Sequence, residues 1–281
     1  MKEEPRWVDP RSVLRRHGMA PRRSFSQSFL VSRAAADEMA LAAVLREGEP
    51  VVELGAGVGT LTGALVRAGA SVVAVERDRR MVKVLHEELG GVAAVRIVAA
   101  DAARIDIRAH IPDGLDRICV SGNLPYAITG AIIKHLIGSS QLLARAVLTV
   151  QREVGERLQA EPGTAAYGAL TVFASRVFKV STLFNLPASS FYPRPKVDSA
   201  VVRLDPLESP CARETDIFRL LVRSAFQNRR KTLRNALLQS AAADKERVDV
   251  ILRRTAIDGR RRGETLSVEE FARLAEAWEP G

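Results

Sequence analysis

From Pro50 onward, short apolar runs alternate with stretches in which apolar residues recur every third or fourth position, and glycine or polar turns separate the two. The pattern predicts strands at 51–54, 71–75, 95–99, 118–121 and 146–150, with helices at 61–68, 80–89, 127–137 and 152–160. Strands that alternate with helices over short turns build a parallel sheet covered on both faces. The expected fold class is α/β and Rossmann-like, with a mixed, mostly parallel sheet.

Beyond Pro162 the alternation loosens. A further helix opens at Ala166-Tyr167-Gly168-Ala169-Leu170, and strands at 177–183 and 200–204 flank the proline-rich Phe191-Tyr192-Pro193-Arg194-Pro195-Lys196. Asp205-Pro206-Leu207-Glu208-Ser209-Pro210 has two prolines and no periodicity, as a linker does. Helices follow at 217–226, 231–241, 244–253 and 268–278, the last preceded by Ser267 as N-cap with Glu270 three residues on. The expected division is a basic leader at 1–24, an α/β domain at 25–206 and a small α-helical domain at 207–281. Phe25-Ser26-Gln27-Ser28-Phe29-Leu30 joins leader to domain, its apolar members acting at least as an anchor, and a helix at 33–45 follows.

Composition narrows the class. A chain of 281 residues, 47% hydrophobic and 27% charged, is long enough for a full-sized domain and a smaller one. No apolar run approaches membrane-spanning length, and the leader mixes six arginines with Glu3, Glu4 and Asp9, which argues against a signal or transit peptide. Two cysteines, Cys119 and Cys211, offer neither a disulfide framework nor a metal site, and His17, His86, His110 and His135 lack ligand spacing. No metal is expected, and a reducing cytoplasm fits. A net charge of +9 raises the prior for a polyanionic partner such as nucleic acid.

Val51-Val52-Glu53-Leu54-Gly55-Ala56-Gly57-Val58-Gly59-Thr60 reads as strand, glycine turn and helix start. Glycine permits positive φ and a close backbone approach to a ligand at the sheet's C-terminal edge. A dinucleotide fingerprint would want its third glycine where Thr60 stands; Gly-x-Gly-x-Gly is the spacing typical of S-adenosylmethionine sites. Glu76 closes the second strand, placed to accept both ribose hydroxyls of a nucleoside, and Asp101 follows the third, placed to accept from an adenine amino group. Either acid alone also reads as a solvated loop carboxylate, and Glu53 also reads as a partner for nearby backbone amides.

The strand at 118–121 runs into Asn123-Leu124-Pro125-Tyr126. Pro125 fixes its own φ and biases Leu124 toward extended geometry, so the corner is stiff. Its plain alternative is a strand-to-helix turn with Tyr126 in the core. As a site, it suits a planar substrate bearing an NH2 group. If the Asn123 side-chain oxygen and the Leu124 carbonyl accept the two N–H bonds of an adenine amine, its lone pair is turned toward a sulfonium methyl, and positioning with oriented dipoles supplies the catalysis. Tyr126 stacks on the base, with Phe191 a candidate for its other face, and the base must be unpaired or flipped out.

These motifs resemble the small-subunit (16S) ribosomal RNA adenine N6-dimethyltransferases, the KsgA-type family, over roughly residues 24–274. The resemblance rests on Gln27-Ser28-Phe29-Leu30, the glycine loop, Glu76, Asp101, Asn123 to Tyr126, Tyr167 to Leu170, Phe191 to Ser199 and Phe226-Gln227-Asn228-Arg229-Arg230-Lys231-Thr232-Leu233-Arg234-Asn235. It implies transfer of four methyl groups from S-adenosylmethionine to two adjacent adenines in a loop near the 3′ end of the RNA, in an immature subunit, by a monomer. It further implies cofactor contacts for Gln27, Ser28, Leu30, Glu53, Gly55, Gly57, Gly59, Glu76, Asp101 and Asn123, and target-base contacts for Asn123, Leu124, Pro125, Tyr126 and Phe191. Two departures stand out. Ser28 replaces the family's usual Asn, and Phe25-Ser26 replaces a residue-glycine pair.

Arg223, Arg229, Arg230, Lys231 and Arg234 form a basic cluster that would neutralise RNA phosphates and impose a salt dependence. The alternative for them is a helix packed on the first domain, with its arginines paired to acids such as Asp216. Arg260-Arg261-Arg262 is a weaker candidate. Three competing activities remain open: an antibiotic-resistance dimethyltransferase of large-subunit RNA, a ribosome assembly factor with secondary catalysis, and a nicotinamide dehydrogenase, the last disfavoured by Thr60.

Overall fold

The computed structural model describes residues 5–22, 27–239 and 244–278. The Phe25-Ser26 departure, and the end of the helix expected at 231–241, lie outside these residues. The chain divides into two compact units, one of residues 1–155 and 180–206, the other of residues 156–179 and 207–281.

The first unit opens with α1 (Pro10–Arg16), β1 (Phe29–Leu30) and α2 (Arg33–Ala43), then β2 (Pro50–Leu54), α3 (Thr60–Arg67), β3 (Ser71–Glu76), α4 (Arg79–Leu89), β4 (Val95–Ala99), β5 (Ile118–Asn123), α5 (Thr129–Gly138) and β6 (Leu143–Gln151). After α6 (Arg152–Leu158) and α7 (Ala169–Ser175) come β7 (Phe178–Leu186), β8 (Phe191–Tyr192) and β9 (Ser199–Pro206). The seven-stranded sheet has the order β4-β3-β2-β5-β6-β9-β7. Strands β4, β3, β2, β5 and β6 run parallel, and β9 is antiparallel to β6.

Every residue of β2 is buried. Because successive side chains point to opposite faces, both faces of this central strand are covered, as its unbroken Val-Val-Glu-Leu run requires. One face packs Val51, Val72 and Cys119 against Ala36 and Met39 of α2 and Leu61 and Leu65 of α3. The chain winds outward through β3 and β4, then returns to β5 on the other side of β2. Strand order therefore reverses between β2 and β5, and the crevice beyond their C-terminal ends is where ligands settle in such sheets.

The leader is not a separate segment. Asp9 caps α1 through the Arg11 amide, and Val13 and Leu14 bury against Phe29, Val58, Met81 and Val84. Arg16 and His17 reach Glu88 at 2.6 and 2.5 Å, which ties α1 to α4. Two neighbouring apolar residues in a charged stretch gave too short a pattern to announce this helix.

The second unit holds part of α6, all of α7, and α8 (Asp216–Gln227), α9 (Leu233–Gln239), α10 (Lys245–Arg254) and α11 (Val268–Trp278). The break at Pro206 coincides with the expected linker, whereas residues 156–179 join this unit rather than the α/β domain. The reason is packing: Tyr167 and Val172 are buried among Phe218, Leu221 and Phe271, and the Tyr167 hydroxyl donates to the Leu266 carbonyl at 2.8 Å. Ser267 and Glu270 close a reciprocal capping box at α11, each side chain accepting from the other residue's amide.

Candidate active site

The crevice at the β2–β5 switch point is a cavity of about 290 Å³, near the lower end of the range for ligand pockets. Gly55 and Gly57 bend its floor with φ of +80° and +58°. A Cβ at Gly57 would stand 3.0 Å from the Phe29 ring, and one at Gly55 would stand 3.6 Å from Pro125 Cδ. The second distance shows that the glycine loop and the proline corner are neighbours.

Glu76, at the end of β3, braces this floor. Its carboxylate accepts the Gly57 amide at 2.9 Å and the Asp78 amide at 2.7 Å, and burial pushes its pKa upward against those hydrogen bonds. Asp101 lines the same cavity, with one oxygen accepting the Ala103 amide at 3.0 Å and the other facing Arg77 at 3.4 Å. Val75, Ala102 and Ile128 supply apolar wall. Gln27 and Ser28 border the opening; Gln27 donates to Asp78 Oδ2 at 3.0 Å and accepts the Arg22 amide at 2.8 Å. Leu30 lines the cavity with its body in the core.

Asn123 ends β5 with its side-chain amide donating to the Ser28 carbonyl at 2.8 Å. That bond uses the NH2 side of the amide and leaves Oδ1 as the acceptor on offer. Leu124 buries its side chain, and among the described residues none donates to its carbonyl. The Pro125 carbonyl accepts from the Ile128 amide and the Thr129 hydroxyl, so the corner is held from its helical side. Tyr126 is half-buried, its hydroxyl 2.5 Å from Ser199 Oγ, and burial raises its pKa.

Four expectations need correction. Gly59 does not line this cavity: it caps α3, and a Cβ there would meet Leu89 at 2.5 Å, so its smallness lets α3 pack on α4. Phe191 is 3% exposed and lies in the core, because β8 pairs Leu30 with Phe191 and the pleat turns the next residue, Tyr192, outward. In this conformation the Phe191 ring is closed to a base. Arg229 pairs with Glu264 at 3.0 Å and donates to the Ala165 and Tyr167 carbonyls. Arg234 holds Asp249 through two bonds of 2.6 and 2.8 Å. Those two arginines brace the helical unit; Arg223, Arg230 and Lys231 are exposed and have no ion-pair partner among the described residues.

Some members had only faint signals in the sequence. Asp78 caps α4 and anchors Gln27, and its place just before Arg79 was the only hint. Thr60 lines the cavity with a buried hydroxyl that has no hydrogen-bond partner among the described residues. An orphaned polar atom at a helix N-terminus above a cradle that any Cβ would narrow fits a polar ligand with a carboxylate or hydroxyl end. Among the described residues no group of His, Cys, Asp and Glu could hold a metal ion, and no helix is long and apolar enough to cross a membrane.

Glu53 lines the same cavity from β2, 1% exposed, with the Thr62 hydroxyl donating to it at 2.5 Å. Burial pushes its carboxyl from an ordinary 4.5 up to about 7. A raised pKa means that the folded chain holds a proton that the unfolded chain releases, so stability falls as pH climbs from 4.5 to 7. This contribution amounts to something on the order of 3 kcal/mol. Glu53→Gln should flatten that part of the pH–stability curve and melt higher than the parent at pH 8; urea titrations at pH 5 and pH 8 check it, and parallel curves for the two proteins would refute it.

The fold and the site together define a Rossmann-like methyltransferase that acts with S-adenosylmethionine. A family model described as ribosomal RNA adenine dimethylase matches residues 18–277, and the chain belongs to that family. It is 42% identical over 276 residues to the ribosomal RNA small subunit methyltransferase A of Myxococcus xanthus, covering 96% of this chain and 95% of the relative. The enzyme of the same name from Pelotomaculum thermopropionicum is 40% identical, covering 95% of each chain. Among solved structures, a dimethyladenosine transferase from Plasmodium falciparum superposes with a TM-score of 0.74 at 27% identity, over 88% of this chain and 95% of that one. The 23S rRNA methyltransferase ErmE superposes with a TM-score of 0.66 at 28% identity, over 89% and 98%.

Proposed function

We propose that this enzyme dimethylates N6 of two adjacent adenines in a loop near the 3′ end of small-subunit ribosomal RNA, in the cytoplasm, as a monomer acting on an immature subunit. Supporting this reading above all is the meeting of the glycine-loop cavity with the Asn123 corner, so close that a Cβ at Gly55 would stand 3.6 Å from Pro125 Cδ. The near-full-length likeness to small-subunit enzymes favours that RNA over the large-subunit target in the name of ErmE.

Gly55, Gly57, Thr60 and Gln27 would hold the methionine side of the cofactor, Glu76 its ribose and Asp101 with Val75 and Ala102 its adenine. When bound, the cofactor supplies an electrophilic methyl group on a sulfonium. Asn123 Oδ1 and the Leu124 carbonyl then accept the target amine's two N–H groups and aim its lone pair, and Tyr126 supports the ring. No strong base is needed, because the nitrogen becomes acidic only as the methyl arrives. Arg223, Arg230 and Lys231 are the cluster members left to meet phosphate.

The test is methylation of purified small- and large-subunit RNAs and their particles by the protein, followed by mass spectrometry of nucleosides and mapping of the modified positions. Paired dimethyladenines in small-subunit RNA alone are expected. Modification of large-subunit RNA instead would favour the resistance reading. Restored subunit maturation by an inactive variant in cells lacking the gene would make assembly the main role.

A further inference from the structure

The loop after β8 leaves Tyr192 outside, 41% exposed, although its neighbour Phe191 is core. Both ends of that loop are tied to the Asn-Leu-Pro-Tyr corner. At one end the Ser28 hydroxyl donates to the Pro193 carbonyl at 2.9 Å, and the Ser28 carbonyl takes the Asn123 amide at 2.8 Å. At the other end Ser199 Oγ lies 2.5 Å from the Tyr126 hydroxyl. Between these ties stand Arg194 and Lys196, both exposed, with no ion-pair partner among the described residues. The loop's one acid, Asp198, turns Oδ1 back onto the Ala188 amide at 2.9 Å.

A partly exposed aromatic ring in a stretch with exposed cations is the combination that grips single-stranded nucleic acid: bases stack on the ring, and the cations follow the phosphates. An adenine seated at Asn123 drags its flanking nucleotides across whatever borders that corner, and this loop borders it on two sides. We propose that Tyr192 is a stacking platform for a nucleotide adjacent to the target adenine, with Arg194 and Lys196 holding the phosphates of the same strand. The inference rests on the methyltransferase reading and adds a specificity surface that the cofactor cavity does not contain. The pattern of the loop, Tyr-Pro-Arg-Pro-Lys, serves the purpose: two prolines stiffen it, so little freedom is lost when RNA binds.

The experiment uses the full chain and a short single-stranded RNA of the target loop carrying 2-aminopurine beside the target adenine. Binding is followed by fluorescence quenching, methylation by mass spectrometry, and cofactor affinity by calorimetry. Tyr192→Ala should weaken RNA binding about 5- to 150-fold, the span of one lost base–aromatic stack, with cofactor affinity unchanged. Tyr192→Phe should stay close to the parent and retain the quenching, which the alanine variant loses. Arg194→Ala with Lys196→Ala should lower the slope of log affinity against log salt by ~1.4, as for two single-strand phosphates. Unchanged RNA affinity for Tyr192→Ala overturns the proposal. So does an equal loss in Tyr192→Phe, which would point to the hydroxyl, or a defect seen only on assembled particles, which would point to a ribosomal protein. If the parent binds and quenches the short RNA but methylates neither it nor the immature subunit, the methyltransferase reading fails while the platform stands.

Discussion

Asn123→Ala should lower the rate of methyl transfer by roughly 10²- to 10³-fold, the usual cost of deleting one preorganised polar group from a reacting centre. Cofactor affinity should hardly move. The residue's side-chain amide is fixed by the Ser28 carbonyl at 2.8 Å, so its oxygen is already turned before a substrate arrives. Fixing that dipole in advance is what makes it effective, because nothing has to reorganise during the reaction. Asn123→Asp sharpens the comparison: it keeps an acceptor but sets a carboxylate against the Ser28 carbonyl, so the anchor is lost and the rate should fall as well. Single-turnover assays with saturating cofactor measure both variants, and dimethyladenine formed by Asn123→Ala at the parent rate would falsify the assigned role.

The second large effect belongs to Glu76. Its carboxylate receives backbone amides, those of Gly57 and Asp78 among them. Glu76→Ala leaves these amides without their acceptor in a largely covered place, at ~1–3 kcal/mol each. It also removes the acid expected to meet the ribose. Cofactor affinity should drop by about 100-fold or more, given that 1.4 kcal/mol is a factor of ten. Glu76→Gln keeps one acceptor and should fall between. Calorimetric titration with S-adenosylmethionine decides the matter: a Kd within about threefold of the parent would mean that Glu76 only shapes the loop.

How much of this could be read beforehand depended on how local the cause was. Strand β4 and helix α11 were expected at the bounds they have, since β-branched runs and a Ser267/Glu270 cap are complete within a few residues. The gathering of Gly55, Gly57, Glu76 and Asp101 at one sheet edge was legible for the same reason: each sits at or just beyond a strand end. What escaped was settled across the chain. Arg229 and Glu264 are 35 positions apart, and Arg234 and Asp249 are 15 apart, so neither pair shows in any local pattern. Residues 156–179 were expected in the α/β domain, although the alternation loosens beyond Pro162, and only the long-range packing of Tyr167 sets them in the helical core. Phe191 and Tyr192 are both large aromatics, and only the β1–β8 register decides which of them faces inward.

Helix α1 bears on where this protein can be trimmed. The family model matches from residue 18, one position beyond His17, so a boundary placed by that match alone would remove the helix entirely. Val58, in the turn between Gly57 and Gly59, would then lose the apolar roof that Val13 and Leu14 provide, along with Met81 and Val84 beneath it. A chain begun at residue 18 should melt several degrees lower than the full one, at about 1 kcal/mol for every 2–4 °C in a protein of this size. It should also bind cofactor more weakly, though no cofactor ligand has been deleted. Equal melting curves and equal affinity would show α1 to be ornamental. The opening helix would otherwise be acting as the keel of the glycine loop.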